Sequence, residues 1–146
     1  MNSPIAGIII GGVIPALVFG VFGVLQKVCL RAGLGIGPFF VTMGGTVALV
    51  GLLCCLLTGR NTVTAAAGLS GIGTGLVWSL GTGLVLLALG RFGASVSQLA
   101  PLYNTNTLVV VLLGMFIFSE WKQVHPVPLV IGAGLIVLGA ALVARA

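Results

Sequence analysis

The sequence contains five long apolar segments, which lie at about 5–28, 36–57, 68–89, 94–118 and 127–144. Each is near the roughly 20 residues that an α-helix needs to cross about 30 Å of hydrocarbon, and the charged residues fall at or between the segment ends. Because lipid offers the backbone no hydrogen-bond partner, such a chain crosses a membrane as helices. We therefore predict an all-α integral membrane protein with five transmembrane helices, forming a single membrane domain over residues 1–146.

The composition agrees with a membrane protein. Hydrophobic residues make up 59% of the chain and charged residues only 5%, against roughly 25% charged residues in an ordinary soluble domain. The six Lys and Arg residues are scattered and form no basic run, so the net charge of +5 does not indicate a nucleic-acid partner. The expected surroundings are a lipid bilayer, with no nucleic acid bound.

The basic residues also predict how the chain is oriented, because cytoplasmic loops carry an excess of Lys and Arg. Five spans divide the basic residues four against two between the sides: Lys27, Arg31, Arg91 and Arg145 against Arg60 and Lys122. This favours an external N-terminus and an internal C-terminus in the cytoplasmic (inner) membrane, although so small a difference also permits both orientations. The first segment lacks a preceding Lys or Arg and an A-x-A cleavage site, so we expect it to be retained.

The chain carries none of the residue groups that common enzyme mechanisms need. It has no paired carboxylates, no Ser/His/Asp set with a buried acid and no phosphate-binding loop. Its three cysteines, Cys29, Cys54 and Cys55, lack the spacing of a zinc site and are expected to act as small hydrophobic residues. We predict that the protein is not an enzyme and uses no metal or cofactor.

Small residues and prolines predict where the helices pack and bend. Gly71, Gly75, Ser79 and Gly83 follow a four-residue spacing, which lets neighbouring helices approach closely in lipid, and we expect the glycines to form helix contacts. Pro15 and Pro101 lie inside the first and fourth segments, where each removes a backbone hydrogen bond. We expect both spans to be interrupted there, with a protein or water neighbour beside them.

The second half of the chain resembles a known family of membrane proteins. A Gly-rich segment GLVWSLGTGLVLLALGRFGAS is followed by SQLAPLYNTNTLVVVLLGMFIFSE and then by LVIGAGLIVLGAALV. This order, over residues 70–144, resembles the five-helix EamA-type repeat of the drug/metabolite transporter superfamily. The resemblance implies a secondary transporter, or half of one, that moves a small metabolite or drug-like solute by alternating access.

Most members of that superfamily carry two such repeats in opposite orientations, whereas this chain carries one. Transporters with inverted repeats build their sites between the two halves, near the middle of the membrane. The resemblance therefore implies a dimer, either an antiparallel homodimer or a heterodimer with a related half-transporter. The rival function is a non-transporting membrane scaffold or regulatory subunit, which would lack a polar cavity at mid-depth that opens to one side.

Polar side chains within the third and fourth segments are the predicted solute-binding residues. We expect Asn104 to contact the solute, because on a regular helix it shares a polar face with Pro101, and Asn106 to face a neighbouring helix. Trp78, far from the membrane interface, is a candidate wall for an organic solute. The full predicted set is Asn104, Trp78, Tyr103, Thr107 and Gln98. The alternative is that both Asn104 and Asn106 only bridge helices.

Glu120 is the one acidic residue of the chain and the one candidate for proton coupling. It ends the fourth segment beside Trp121 and Lys122, where water is available. This position favours a structural role at the membrane interface, with proton coupling as the alternative.

Overall fold

The computed structural model describes residues 4–59, 62–122 and 124–145, and all regular elements among them are helices. In chain order these are α1 (Pro4–Ile8), a π-helical turn (Ile9–Val13), α2 (Ile14–Arg31), α3 (Ile36–Thr58), α4 (Ala65–Gly90), α5 (Val96–Tyr103), α6 (Asn106–Ile117), a 3₁₀ turn (Glu120–Lys122) and α7 (Pro126–Val143).

Five helical stretches are long and apolar enough to cross a membrane, which confirms the all-α class and the prediction of five apolar helices of this length. Their bounds are Ala6–Arg31, Ile36–Thr58, Ala65–Gly90, Val96–Ile117 and Pro126–Val143. Large apolar side chains point outward along all of them, as in Leu57 at 86% exposure. An outward apolar surface of this extent is compatible with a multi-pass membrane protein, in which lipid covers it.

The residues that bound the helices follow ordinary capping chemistry. Thr64 precedes α4, and its hydroxyl oxygen accepts a hydrogen bond from the Ala67 N–H at 3.3 Å. Gly59 ends α3 with a φ of 63°, in the left-handed region that glycine adopts without strain. Pro126 begins α7, at a position where the missing N–H costs nothing.

The first span contains the interruption predicted at Pro15, in the form of a wider turn. Residues Ile9–Val13 are π-helical, and the Ile14 N–H bonds the Ile9 carbonyl five residues back. Proline has no N–H and its ring crowds the carbonyl four residues before it. The π turn is a known way to absorb such a disturbance without ending the helix.

The chain divides into two compact units, Met1–Gly93 and Ala94–Ala146. In the first unit α4 packs against both α2 and α3, with Leu86 fully buried. In the second unit α5 and α6 both pack against α7, whose buried residues are Ala133 and Ala140. Small side chains on α7 allow this close approach.

Candidate functional site

The fourth span breaks in two at the polar cluster that the sequence singles out. Helix α5 ends at Tyr103, helix α6 begins at Asn106, and the two residues between them form a turn. The turn is tightened, because the N–H groups of Thr105 and Thr107 bond carbonyls three residues back, those of Leu102 and Asn104, both at 3.1 Å. The predicted interruption at Pro101 is therefore one tightened turn, one helical turn after the proline, in which Asn104 and Thr105 keep right-handed helical backbone angles. We call this turn the break.

Two threonine hydroxyls stabilise the backbone at this break. The Thr105 hydroxyl donates to the Leu102 carbonyl at 2.6 Å, and the Thr107 hydroxyl donates to the Asn104 carbonyl at 2.8 Å. The same carbonyls accept the backbone N–H groups of Thr105 and Thr107. Each threonine therefore holds its carbonyl with two hydrogen bonds, at the place where the regular helical pattern is lost.

The break changes how the predicted solute-binding residues are arranged. The sequence argument that separates Asn104 from Asn106 assumes a regular helix, whereas Asn104 closes α5 and Asn106 opens α6. The different roles of the two asparagines stay predictions. Both side chains are exposed, as is Tyr103, while Thr107 is half-buried. Tyr103, Asn104 and Thr107 therefore lie together at the break. Their contact with a solute stays a prediction.

Gln98 has a structural role at the beginning of α5. The Ser95 hydroxyl accepts from the Gln98 N–H at 3.3 Å and donates to the Gln98 side-chain carbonyl at 2.7 Å. This reciprocal pair resembles a capping box, in which the first and fourth residues of the motif satisfy each other. The Gln98 side chain is therefore engaged in starting the helix.

Trp78 lies in the first unit, within a cluster of aromatic rings. Its ring centroid is 6.2 Å from that of Phe22 and 6.4 Å from that of Phe40, and Phe40 lies edge-on to Phe39 at 5.8 Å. Such tilted and edge-to-face pairs are favourable ring geometries. The cluster links α2, α3 and α4, with the Trp78 side chain still 42% exposed. The predicted role of Trp78 as a solute wall remains a prediction.

The predicted packing glycines differ in whether another helix lies beside them. A methyl group at Gly83 would lie 3.6 Å from the Phe40 ring, so this glycine is in contact with α3. At Gly71 and Gly75, by contrast, a methyl group would meet no described atom within 4 Å. Their predicted helix contacts have no counterpart within the described chain and stay predictions about packing.

Glu120 folds back toward the end of α6. Ser119 has a φ of 56°, which turns the chain sharply. A methyl group built on Gly114 would lie 2.9 Å from a Glu120 carboxylate oxygen. The bare glycine therefore leaves room for this carboxylate, which is otherwise exposed.

A cavity of about 260 Å³ lies between α2 and α3 in the first unit. Its lining is mainly apolar, with four residues that carry polar or thiol groups; the lining residues are Phe22, Leu25, Gln26, Cys29, Leu34, Phe39, Thr42, Met43 and Thr46. Thr46 is ten residues into α3, roughly 15 Å along the axis at ~1.5 Å per residue. The cavity thus extends from the loop end of these helices to about half the thickness of a bilayer core.

Gln26 is the residue of this cavity that sequence reasoning missed as a site. It is only 3% exposed, and no hydrogen bond joins its side-chain amide to another described residue. No fully enclosed side-chain nitrogen or oxygen among the described residues lacks a partner, so this amide must reach the open space of the cavity. Its signal in the sequence is weak, because a glutamine beside Lys27 at the end of an apolar segment is also typical of a residue that faces water.

Lys27, the next residue, ties the first span to the third. Its ammonium group donates to the Leu89 carbonyl at 3.4 Å, in the last turn of α4. A cation near the C-terminus of a helix is favoured by the helix dipole. Beside it, Leu30 packs on Gly90, where a methyl group would lie 3.7 Å from the leucine. These contacts hold α2 against α4 at the end of the helix pair nearest the cavity.

Comparison of the chain with models of known protein families, with characterised proteins and with solved structures finds no significant match.

Proposed function

We propose that this chain is a secondary transporter, or half of one, that moves a small metabolite or drug-like solute across the cytoplasmic membrane by alternating access. The observation that carries the proposal is the broken fourth span. At this break the Thr105 N–H bonds the Leu102 carbonyl, so the Pro101 carbonyl loses its regular helical partner. A backbone carbonyl without its partner at membrane depth is tolerated only against protein or a water-filled cavity. Transporters use such discontinuous helices to place polar backbone and side-chain groups against a solute near the middle of the membrane.

The position of the break favours the same function. Residue 104 is eight residues from Val96 and thirteen from Ile117, so at ~1.5 Å per residue it lies roughly 12 Å and 20 Å from the two ends of the span. Water at this depth requires an access path. A path open first to one side and then to the other is what alternating access needs.

A second chain would complete the transporter. The small-residue row at Gly71 and Gly75 faces no described neighbour in its own chain, which suits a close contact with another helix. The resemblance of residues 70–144 to one EamA-type repeat favours the same arrangement, since the site of such transporters lies between two repeats. The partner would be an antiparallel copy or a related half-transporter.

The same exposed row also favours a second candidate function, a non-transporting scaffold or regulatory subunit. A scaffold needs a contact surface for another membrane protein but no route for a solute. The two functions differ in what the fourth span does, because a scaffold gains nothing from a break in the middle of the membrane.

Proteoliposomes containing the purified chain test the proposal. A mixed pool of small metabolites is supplied outside, and the lumen is analysed by mass spectrometry against empty liposomes and liposomes with the Asn104→Ala variant. We expect at least one solute to accumulate with the unaltered chain and several-fold less with the variant. A chain that moves no solute, alone or with a co-expressed partner, would favour the scaffold.

A further inference from the structure

The amide of Gln26 is an unusual group to find without a partner. A buried polar side chain normally has a hydrogen-bond partner, because leaving one unmade costs about 1–3 kcal/mol. Gln26 is 3% exposed, lines the cavity between α2 and α3, and bonds no other described residue. Its carbonyl oxygen and NH₂ group are therefore both available to a molecule inside the cavity.

We propose that the cavity between α2 and α3 binds a small uncharged organic molecule that carries a carboxamide-like edge, which pairs with the Gln26 amide. This binding is separate from the break in the fourth span and does not depend on transport. A glutamine amide presents a donor and an acceptor side by side, so its best partner also has one of each. A primary amide or a lactam meets this requirement with two parallel hydrogen bonds.

The rest of the lining selects against charge. None of the described residues that line the cavity is charged, so an ionic ligand would lose its hydration without gaining a counter-ion. The Thr42 hydroxyl donates to the Pro38 carbonyl at 2.9 Å and the Thr46 hydroxyl donates to the Thr42 carbonyl at 3.0 Å. Both hydroxyls thus keep only acceptor capacity toward a ligand.

The apolar lining and the volume limit the body of the ligand. The rings of Phe22 and Phe39 and the Met43 side chain favour a flat apolar group. A volume of about 260 Å³ corresponds to roughly nine water molecules at ~30 Å³ each. A molecule of about ten non-hydrogen atoms therefore fits, and benzamide is a suitable probe.

The unaltered protein offers an internal measurement of occupancy. Cys29 lines the cavity and is half-buried, whereas Cys54 is exposed elsewhere on the same unit. The rate of alkylation of each cysteine by a membrane-permeable maleimide is followed by mass spectrometry in nanodiscs. We expect benzamide to slow the reaction of Cys29 saturably and to leave Cys54 unchanged, while benzoate, of the same shape but charged, protects neither.

Three results would overturn the proposal in the unaltered protein. Equal protection of Cys54 and Cys29 by benzamide would mark a general effect on the membrane. Equal protection of Cys29 by ethylbenzene and benzamide would mark an unselective apolar space. A Cys29 that does not react, or that benzamide leaves unaffected up to its solubility limit, would show a cavity closed to ligands or already filled by lipid.

Gln26→Leu isolates the amide. It keeps a side chain of similar size, and we expect it to raise the benzamide concentration needed for half-protection of Cys29 about tenfold while ethylbenzene protects better than before. Thr74→Val is the matched control, since it removes a hydroxyl from the same unit outside the cavity. Equal benzamide protection in Gln26→Leu and the unaltered chain contradicts the proposal; if the variant does not fold, the benzamide and ethylbenzene comparison decides.

Discussion

The first and fourth spans each contain a proline, and they respond to it differently. Before Pro15 the helix widens into a π turn and continues to Arg31. After Pro101 the helix ends within a turn and a new one starts at Asn106. The neighbouring side chains account for the difference. Pro15 lies among apolar residues that cannot bond a freed carbonyl, so the backbone must re-pair with itself.

At the break after Pro101, side chains add to the backbone pairing. The hydroxyls of Thr105 and Thr107 bond the carbonyls of Leu102 and Asn104, which makes an interrupted backbone tolerable within the span. The comparison teaches that proline alone does not decide between a distorted helix and a broken one. Of these two prolines, Pro101 alone has polar residues in the following turn, and the same residues make the break a candidate for binding a solute.

Restoring the missing N–H should have the largest effect. Pro101→Ala allows regular pairing across the break, so we expect a more continuous fourth span and a gain in stability of up to about 3 kcal/mol. Because the break carries the proposed site, transport should fall by at least tenfold. Pro15→Ala is the matched variant; its span is already continuous, so transport should hardly change. Stability is measured by thermal unfolding in detergent and transport by uptake into proteoliposomes. Loss of transport in both variants would show that the two prolines do not differ in their effect on function.

Substitutions of the two asparagines at the break should change different quantities, solute affinity for Asn104 and stability for Asn106. If Asn104 bonds the solute, Asn104→Ala should lose about 1–2 kcal/mol of binding, roughly tenfold in affinity, with the fold intact. If Asn106 bridges helices, Asn106→Ala should lower stability by about 0.6 kcal/mol and leave affinity nearly unchanged. Solute titration and thermal unfolding of both variants check this. An Asn104→Ala protein that transports normally but unfolds more easily would make the break purely structural.

The threonine hydroxyls should contribute less, and to stability. Thr105→Val and Thr107→Val each remove a donor from a carbonyl at the break, so we expect a loss of about 1 kcal/mol each in thermal unfolding. Thr74→Val is the control, because its hydroxyl bonds the Ser70 carbonyl at 2.9 Å within the continuous helix α4. The Leu102 and Asn104 carbonyls also accept the N–H groups of Thr105 and Thr107, so in all three variants the carbonyl keeps one donor. In the regular helix of the control the second donor adds little, and we expect a change of only a few tenths of a kcal/mol there. Equal losses of stability at all three positions would show that the threonine hydroxyls do not stabilise the break in particular.

The spans could be predicted from the sequence because their signal is local. Uncharged apolar runs of the length of a bilayer core, separated by short charged connections, leave the chain few alternatives. The predicted fourth segment, 94–118, and the observed span Val96–Ile117 differ by one or two residues at each end. Pro101 likewise predicted an interruption, but the form of that interruption depends on hydrogen bonds made by residues several positions away.

The cavity could not be predicted, because burial depends on residues distant in the sequence. Gln26 stands beside Lys27 near the end of a helix, where a polar residue normally faces water. In the folded unit, where α4 packs against both α2 and α3, Gln26 is instead buried and lines the cavity between α2 and α3. The ring contacts of Trp78 could not be predicted for the same reason, because its partners Phe22 and Phe40 belong to two other helices.

The smallest effect is expected at the charged end of the broken span, which tests whether the break alone carries the function. Glu120 is exposed at the end of the span, so Glu120→Gln should leave uptake within about twofold and its pH dependence unchanged, as surface substitutions usually do. Gly114→Ala provides a second variant, because its methyl group would displace the Glu120 carboxylate from 2.9 Å. That carboxylate ends a flexible side chain and can move away from the methyl group. Alanine stabilises a helix by up to about 1 kcal/mol relative to glycine. Uptake measured between pH 5.5 and pH 8.5 distinguishes the two roles of Glu120: a pH profile that flattens in Glu120→Gln would identify it as the proton-coupling group and extend the functional region from the break to the end of the span.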